Sequence, residues 1–293
     1  VQLGDPRSMS LKLIDPGPSR KGWHRLQKAL RCPRMYALAY RSEEGRGERV
    51  PSEPLIKGSL FHVAAAHHYA QIQEKQEGKT ETEYYNPIEA VDILASRQPT
   101  TALCLEWQKY VAGVQRVYLD YKVRWASKQW KVLAIEKEVQ ATIFDEERNE
   151  SYFYTQRVDA IWQHPVTKQV WFVDHKTAGR VTQKTVGQYS MAGQMLGYSM
   201  FGRQMFGDKY GGVLLNFIEW PRGEASPRFE RKRLDPAPFA VSRFKNTIIQ
   251  AERIIRDHEK LKAVEWPGAH NTTACWPYGP CEFYETCQYG VKP

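Results

Sequence analysis

No run of about 18 apolar residues occurs anywhere in the 293-residue chain, so no segment of it suits a bilayer-spanning helix. Nor does any apolar stretch near the amino terminus have the form of a secretion signal. A soluble, cytoplasmic protein without a membrane partner is therefore expected. Internal repeats and low-complexity linkers are also missing, which excludes solenoids and tethered arrays. Cysteine is scarce: the five residues suit thiols or metal ligands of an intracellular chain better than a disulfide scaffold. Acidic residues are outnumbered, 33 Asp and Glu against 42 Lys and Arg, and the formal charge of +9 favours a polyanionic partner without identifying it.

What is present suffices for a packed globule, because 42% of the residues are hydrophobic and 12% aromatic. Residues 1–8, ahead of Met9, are expected to be a remnant of recombinant expression. Residues 9–130 read as mainly helical: one or two short helices over 19–41, one from about 58 to 74, and helical spacing from 86 to 125 interrupted near Pro99. From Lys131 the pattern becomes strand-like, with runs at 131–144, 151–163 and 169–177 rich in Val, Ile, Phe, Tyr and Trp. A helix at 183–206, strands at 211–220 and 227–234, and a helix at 236–262 follow. The expected fold is α/β: a core over 131–265 with a central mixed sheet flanked by helices, a helical amino-terminal region and a Cys-rich tail over 266–293, all in one integrated domain.

The strands carry the chemistry. If the turn between the second and third strands is Pro165 to Lys168, paired residue numbers sum to 333 and Asp159 lies opposite Asp174. Two like charges at roughly 5 Å destabilise a sheet unless something neutralises them. A divalent cation would. Lys176 lies two residues past Asp174 and projects from the same face, while Trp162, Trp171 and Val173 project from the other. Carboxylates hold hard cations such as magnesium or manganese, which polarise a phosphate and activate water, and an ammonium orients that water or stabilises developing charge. The alternative is a surface ladder in which Asp174 pairs with Lys176, since Asp-X-Lys is a common tripeptide. The apolar run Val170 to Val173 and the opposed Asp159 weigh against it. If pairs in the first two strands sum to 295, Glu136 also falls opposite Asp159, as a further acidic ligand or as half of a structural ion pair.

Four segments occur in a fixed order: Gly58-Ser-Leu-Phe-His62, Arg157-Val-Asp159, Val173-Asp174-His175-Lys176-Thr177 and Gln194-Met-Leu-Gly-Tyr198. In this the chain resembles the RecB-like exonuclease branch of the PD-(D/E)XK nuclease superfamily, which includes the RecB and AddB nuclease domains and the CRISPR-adaptation nucleases, over roughly residues 25 to 290. The resemblance implies a restriction-endonuclease-like core. It implies a metal held by His62, Asp159, Asp174 and the backbone carbonyl of His175, whose side chain would point away. It makes Lys176 the catalytic cation, with Asp174 and Asp159, and it directs Gln194 and Tyr198 from one helix face to contact DNA and hold Lys176 in place.

The chain closes on Cys275, Cys281 and Cys287, and Cys32 lies near its start. Members of that branch with iron–sulfur clusters use one cysteine before the core and three after it for a 4Fe-4S cluster, and these four match. Here five residues separate the first two late cysteines, where the family often has two. Zinc could use the same thiolates, and unligated or disulfide-bonded thiols remain open. Cys104 is expected to be a buried small hydrophobe. The implied activity is a magnesium- or manganese-dependent DNA nuclease, an exonuclease working on ends or single strands in recombination, repair or phage replication, with a helicase or recombination partner. A non-cleaving DNA-binding scaffold and an RNA-directed nuclease are the alternatives. Basic clusters at 19–34, 122–131, 222–233 and 243–262, often beside aromatic residues, suit phosphate contacts and base stacking.

Overall fold

The computed structural model describes residues 11–42, 51–126, 130–221, 223, 225–277 and 279–290. Residues 1–8 therefore lie outside the described residues. Five strands form one mixed sheet in the order β1-β2-β3-β4-β5: β1 (Lys131–Asp145), β2 (Glu150–Gln163), β3 (Val170–Ala178), β4 (Tyr210–Glu219) and β5 (Arg228–Leu234). Neighbours run antiparallel except β3 and β4, which are parallel. A parallel step needs a crossover. It is made by α6 (Gln183–Ser190) and α7 (Gly193–Phe206).

Register follows the arithmetic of the sequence. Ala160 pairs with Val173 and Gln163 with Val170, a sum of 333, and the His164 N–H donates to the Gln169 carbonyl at 2.8 Å across the turn. Ile135 pairs with Ala160 and Lys137 with Val158, a sum of 295, so Glu136 comes opposite Asp159.

Helices cover both faces of the sheet. On one lie α1 (Trp23–Arg31), α2 (Pro33–Tyr40), α7 and α8 (Pro238–His258), whose Val241, Phe244, Ile248, Ala251 and Ile255 make the apolar stripe that helical period requires. Arg25 of α1 and Glu252 of α8 form a buried ion pair between them. On the other face lie α3 (Glu53–Gln76), α4 (Pro87–Ser96) and α5 (Thr101–Trp125), packed on Trp162, Trp171, Val173 and Leu214. Helix α3 starts five residues earlier than its apolar pattern suggests, where Pro54, in the first turn, has no N–H to leave unsatisfied. The tail forms α9 (Thr272–Cys275) and α10 (Tyr284–Tyr289), packed on α2 through Phe283, Met35 and Leu38. Among the described residues no helix is long and apolar enough to cross a membrane.

Two expectations change. The helix expected over 183–206 is broken at Met191 and Ala192, the latter in an extended conformation. Gly193 then lies so close to the Trp23 ring that any side chain there would collide with it. Cys104, expected to be buried, is half-exposed in the first turn of α5, with its Sγ 3.4 Å from the carbonyls of Ser96 and Gln98.

Candidate active site

The ladder between β2 and β3 opens at Asp159. Instead of continuing the pairing, its carboxylate takes the backbone N–H of His175 at 2.7 Å, which fixes Oδ2 beside β3. His62, brought in by α3, places Nδ1 3.3 Å from the same oxygen. That approach depends on Gly58, where a Cβ would stand 3.2 Å from Thr177 Oγ1 of β3. Glu136 arrives from β1 with φ of 46°, a left-handed conformation that a side-chain-bearing residue adopts at a cost of order 1–3 kcal/mol. One ligand atom from each of His62, Glu136 and Asp159 lies within 4.8 Å of the other two.

These groups are crowded with negative charge. Burial, and then the Asp159 charge, push the Glu136 carboxyl up to about 9. Burial pushes Asp159 up to about 6, with Asp174 adding repulsion and His62 opposing it. A cation among them would remove that penalty. Carboxylate oxygens with one imidazole are a donor set that a hard divalent ion accepts, so the residues fit magnesium or manganese.

Asp174, buried in β3, is held from two sides. Its Oδ2 lies 2.7 Å from Lys176 Nζ, and its Oδ1 accepts from Gln194 Nε2 at 3.0 Å. The other end of the same amide, Gln194 Oε1, accepts from Lys176 Nζ at 2.9 Å. Gln194 thus ties the carboxylate and the ammonium together. Burial opposes the charge on Lys176, but Asp174 outweighs it and raises the Lys176 pKa. Tyr198, one turn on, accepts from Gln194 Nε2 at 3.1 Å and donates to the Arg157 carbonyl at 2.6 Å, joining α7 to β2 beside Asp159.

His175 behaves differently. Its ring faces away from the acidic cluster, stacked on Tyr69 with centroids 5.8 Å apart, while Nδ1 meets Asn216 Nδ2 at 2.7 Å. Burial holds its imidazole far below the ordinary histidine range, so the ring is neutral. His67 and His68, neighbours of His62 in sequence, take other partners: His67 Nε2 accepts the Ile14 N–H, and His68 Nδ1 meets the Tyr118 hydroxyl.

A cavity of about 290 Å³ opens over the cluster. His62, Glu136, Asp159, Gln194 and Tyr198 line one side, and Pro16 to Ser19, Trp23 and Gln27 form the opposite wall. That wall was not anticipated from sequence as part of the site, although the basic segment from 19 contains its aromatic residue. Gln156 was also not anticipated. It is buried beneath α7 and donates through Nε2 to Tyr154 Oη at 2.7 Å and to the Gln194 carbonyl at 3.2 Å.

The four late and early cysteines also converge. Cys32, Cys275, Cys281 and Cys287 line a separate cavity of about 280 Å³ between α2 and the tail. Arg31 and Arg34 anchor the tail there by donating to the carbonyls of Ala274 and Trp266, each at 2.7 Å. Burial raises the Cys281 and Cys287 thiols above their ordinary pKa.

No curated protein matches the chain by sequence. Among solved structures, that of SSO0001 aligns at 13% identity over 78% of this chain and 84% of that one, with a TM-score of 0.30, too loose a superposition to add to the assignment. The model of the PD-(D/E)XK nuclease superfamily matches residues 23–288, which takes in His62, Glu136, Asp159, Asp174, Lys176, Gln194 and Tyr198. With its restriction-endonuclease-like sheet and its acidic cluster beside Lys176, the chain belongs to the PD-(D/E)XK nuclease superfamily.

Proposed function

We propose that the protein is a magnesium- or manganese-dependent deoxyribonuclease of the RecB-like branch, acting as an exonuclease on DNA ends or single strands in recombination, repair or phage replication, beside a helicase or recombination partner. The observation that carries this reading is the grouping of His62, Glu136 and Asp159 beside an Asp174 that is tied to Lys176 directly and through the Gln194 amide. In it, His62, Asp159, Asp174 and the His175 carbonyl would hold the metal, and Glu136 would add a carboxylate directly or through water. When bound, the metal polarises the scissile phosphate and lowers the pKa of a water molecule. Lys176 orients that water and stabilises the charge that develops on the phosphate oxygens. Gln194 and Tyr198 keep its Nζ beside Asp174, so their part is positioning.

Substitution tests this reading. Asp174→Ala and Lys176→Ala are expected to fold with unchanged circular dichroism and to lose metal-dependent cleavage of end-labelled DNA. Full activity in either would remove the assignment. Linear DNA should be degraded while covalently closed circles survive, and matched RNA should be cut more slowly; the reverse preference would favour the RNA-directed alternative.

The cysteine pocket supports a 4Fe-4S cluster as a structural clamp. A zinc ion with bonds of ~2.3 Å in a tetrahedron needs sulfurs roughly 3.8 Å apart. Among the described residues, no three cysteine sulfurs lie within 4.8 Å of one another. A cubane binds each thiolate at a separate iron, and here it would join Cys32 to a tail some 240 residues away.

A further inference from the structure

Beneath the acidic cluster, on the opposite face of the sheet, three polar residues stand in a row across neighbouring strands: His175 of β3, Asn216 of β4 and Arg231 of β5. His175 and Asn216 are buried, in a layer otherwise built of rings such as Phe61, Trp162 and Phe229. The Asn216 amide joins two partners, its Nδ2 lying 2.7 Å from His175 Nδ1 and 2.6 Å from Tyr121 Oη of α5. Tyr121 Oη in turn meets Tyr69 Oη of α3, which also accepts from Arg231 Nη2 at 3.3 Å. The Tyr69 ring stacks on that of His175, so the contacts close on themselves and tie α3 and α5 to the sheet.

Two donors of the acidic cluster hang from this network. The ladder between β2 and β3 ends at Ala160 and Val173, so the backbone of His175 has a ladder partner on β4 alone, and that partner is Asn216. The N–H of His175 is thereby free for Asp159 Oδ2, 2.7 Å away. His62 lies seven residues before Tyr69 on α3, two turns away on the same face, and its ring stands 5.9 Å from that of His175. Packing alone does not account for an amide at position 216. Its Oδ1 is buried without a donor, and an apolar side chain would fill the space at no such cost.

We propose that Asn216 is a positioning residue for the metal: through His175 it fixes the peptide that holds Asp159, and through Tyr121 and Tyr69 the helix that carries His62. The inference rests on reading the acidic cluster as a divalent-metal site. Partners of this kind, one step removed from the ligands, set how closely the ligands are held in the geometry the ion requires.

Manganese titration of the whole chain without DNA, followed by the electron paramagnetic resonance of the free ion below every thermal midpoint, tests the proposal. Asn216→Leu is expected to weaken manganese binding at least about tenfold. Tyr121→Phe, which removes only the hydroxyl, should weaken it in the same direction, and it decides the matter if Asn216→Leu does not fold. In cleavage, Asn216→Leu should raise the manganese needed for half the maximal rate, with that rate recovered at saturating metal. Glu252→Gln, which disturbs the buried pair with Arg25 on the other face, is the control: it should lower the thermal midpoint and leave manganese binding unchanged. Native affinity in both Asn216→Leu and Tyr121→Phe overturns the inference, as does an equal weakening in Glu252→Gln. Asp159→Asn separates this failure from that of the metal reading. Binding that needs Asp159 but ignores Asn216 sinks the inference alone, whereas binding indifferent to Asp159 sinks the metal reading and the inference with it.

Discussion

Gly197 sits in α7 between Gln194 and Tyr198, and replacing it with alanine sets two effects of opposite sign against each other. In an open helix, glycine to alanine gains about 1 kcal/mol, mostly from backbone entropy. At position 197, however, a Cβ would stand 2.4 Å from Gln156 Nε2 and 2.7 Å from its Cδ. The Gln156 side chain cannot simply swing away, because its amide is buried and bonded to Tyr154 Oη and the Gln194 carbonyl. Overpacking of this kind costs about 1–3 kcal/mol, and each displaced buried hydrogen bond about 1 kcal/mol more. The steric side wins, for a net loss of about 1–3 kcal/mol, or roughly 2–10 °C in thermal midpoint at the few degrees per kcal/mol expected of a chain this size. Gly113→Ala in α5, with open space around it, is the matched control and should gain up to about 1 kcal/mol. Any shift of α7 also moves Gln194 off Lys176, so cleavage should fall more than stability does. Denaturant unfolding of Gly197→Ala, Gln156→Ala and the double variant measures the coupling, and the double variant should be more stable than the sum of the single changes implies. A Gly197→Ala protein as stable as the native one, or strictly additive energies, would refute the reasoning.

Three further outcomes follow from the same geometry. Glu136→Gln removes a buried carboxyl that burial and Asp159 hold up to about 9, so the metal-free protein should melt no lower than the native one, while the magnesium concentration for half-maximal cleavage rises; an unchanged metal requirement would take Glu136 out of the metal shell. Asp145, at the end of β1, accepts from Arg253 Nε at 2.6 Å, and that bond holds its carboxyl down to about 2, below the ordinary value of 3.8. A depressed carboxyl contributes stability that is complete above pH 3.8 and disappears as pH falls through 2, so Asp145→Asn should be less stable at pH 7 and indistinguishable at pH 2 in urea midpoints; a pH-independent difference would contradict this. Anaerobic preparation should give a brown protein with about four irons per chain, and Cys32→Ser should bleach it and free the tail for proteolysis; a colourless, iron-free preparation would leave the thiols to zinc or to no metal.

The part of the site that lies on adjacent strands was legible because short antiparallel pairings obey arithmetic. Once the turn is set at Pro165 to Lys168, the pairing up to Ala160 and Val173 follows, and so does the common face of Asp174 and Lys176, whereas the opening of the ladder at Asp159, which hands its carboxylate to the His175 N–H instead of pairing it with Asp174, does not. His62 and Gln194 needed the family motifs, since nothing in helical periodicity distinguishes His62 from His67 and His68, which satisfy their rings elsewhere. The rest depends on contacts between residues far apart in sequence. Glu136 was reachable by register, yet its left-handed backbone is one that strand propensity argues against. The break at Met191 and Ala192 has no proline to announce it, and just after it Gly193 lies against the Trp23 ring, some 170 residues earlier. Trp23 also forms the far wall of the cavity over the metal cluster. The same side chain therefore packs against the first residue of α7, next to the Gln194 that meets Lys176, and bounds the space left for a substrate, so a change at Trp23 should alter both together.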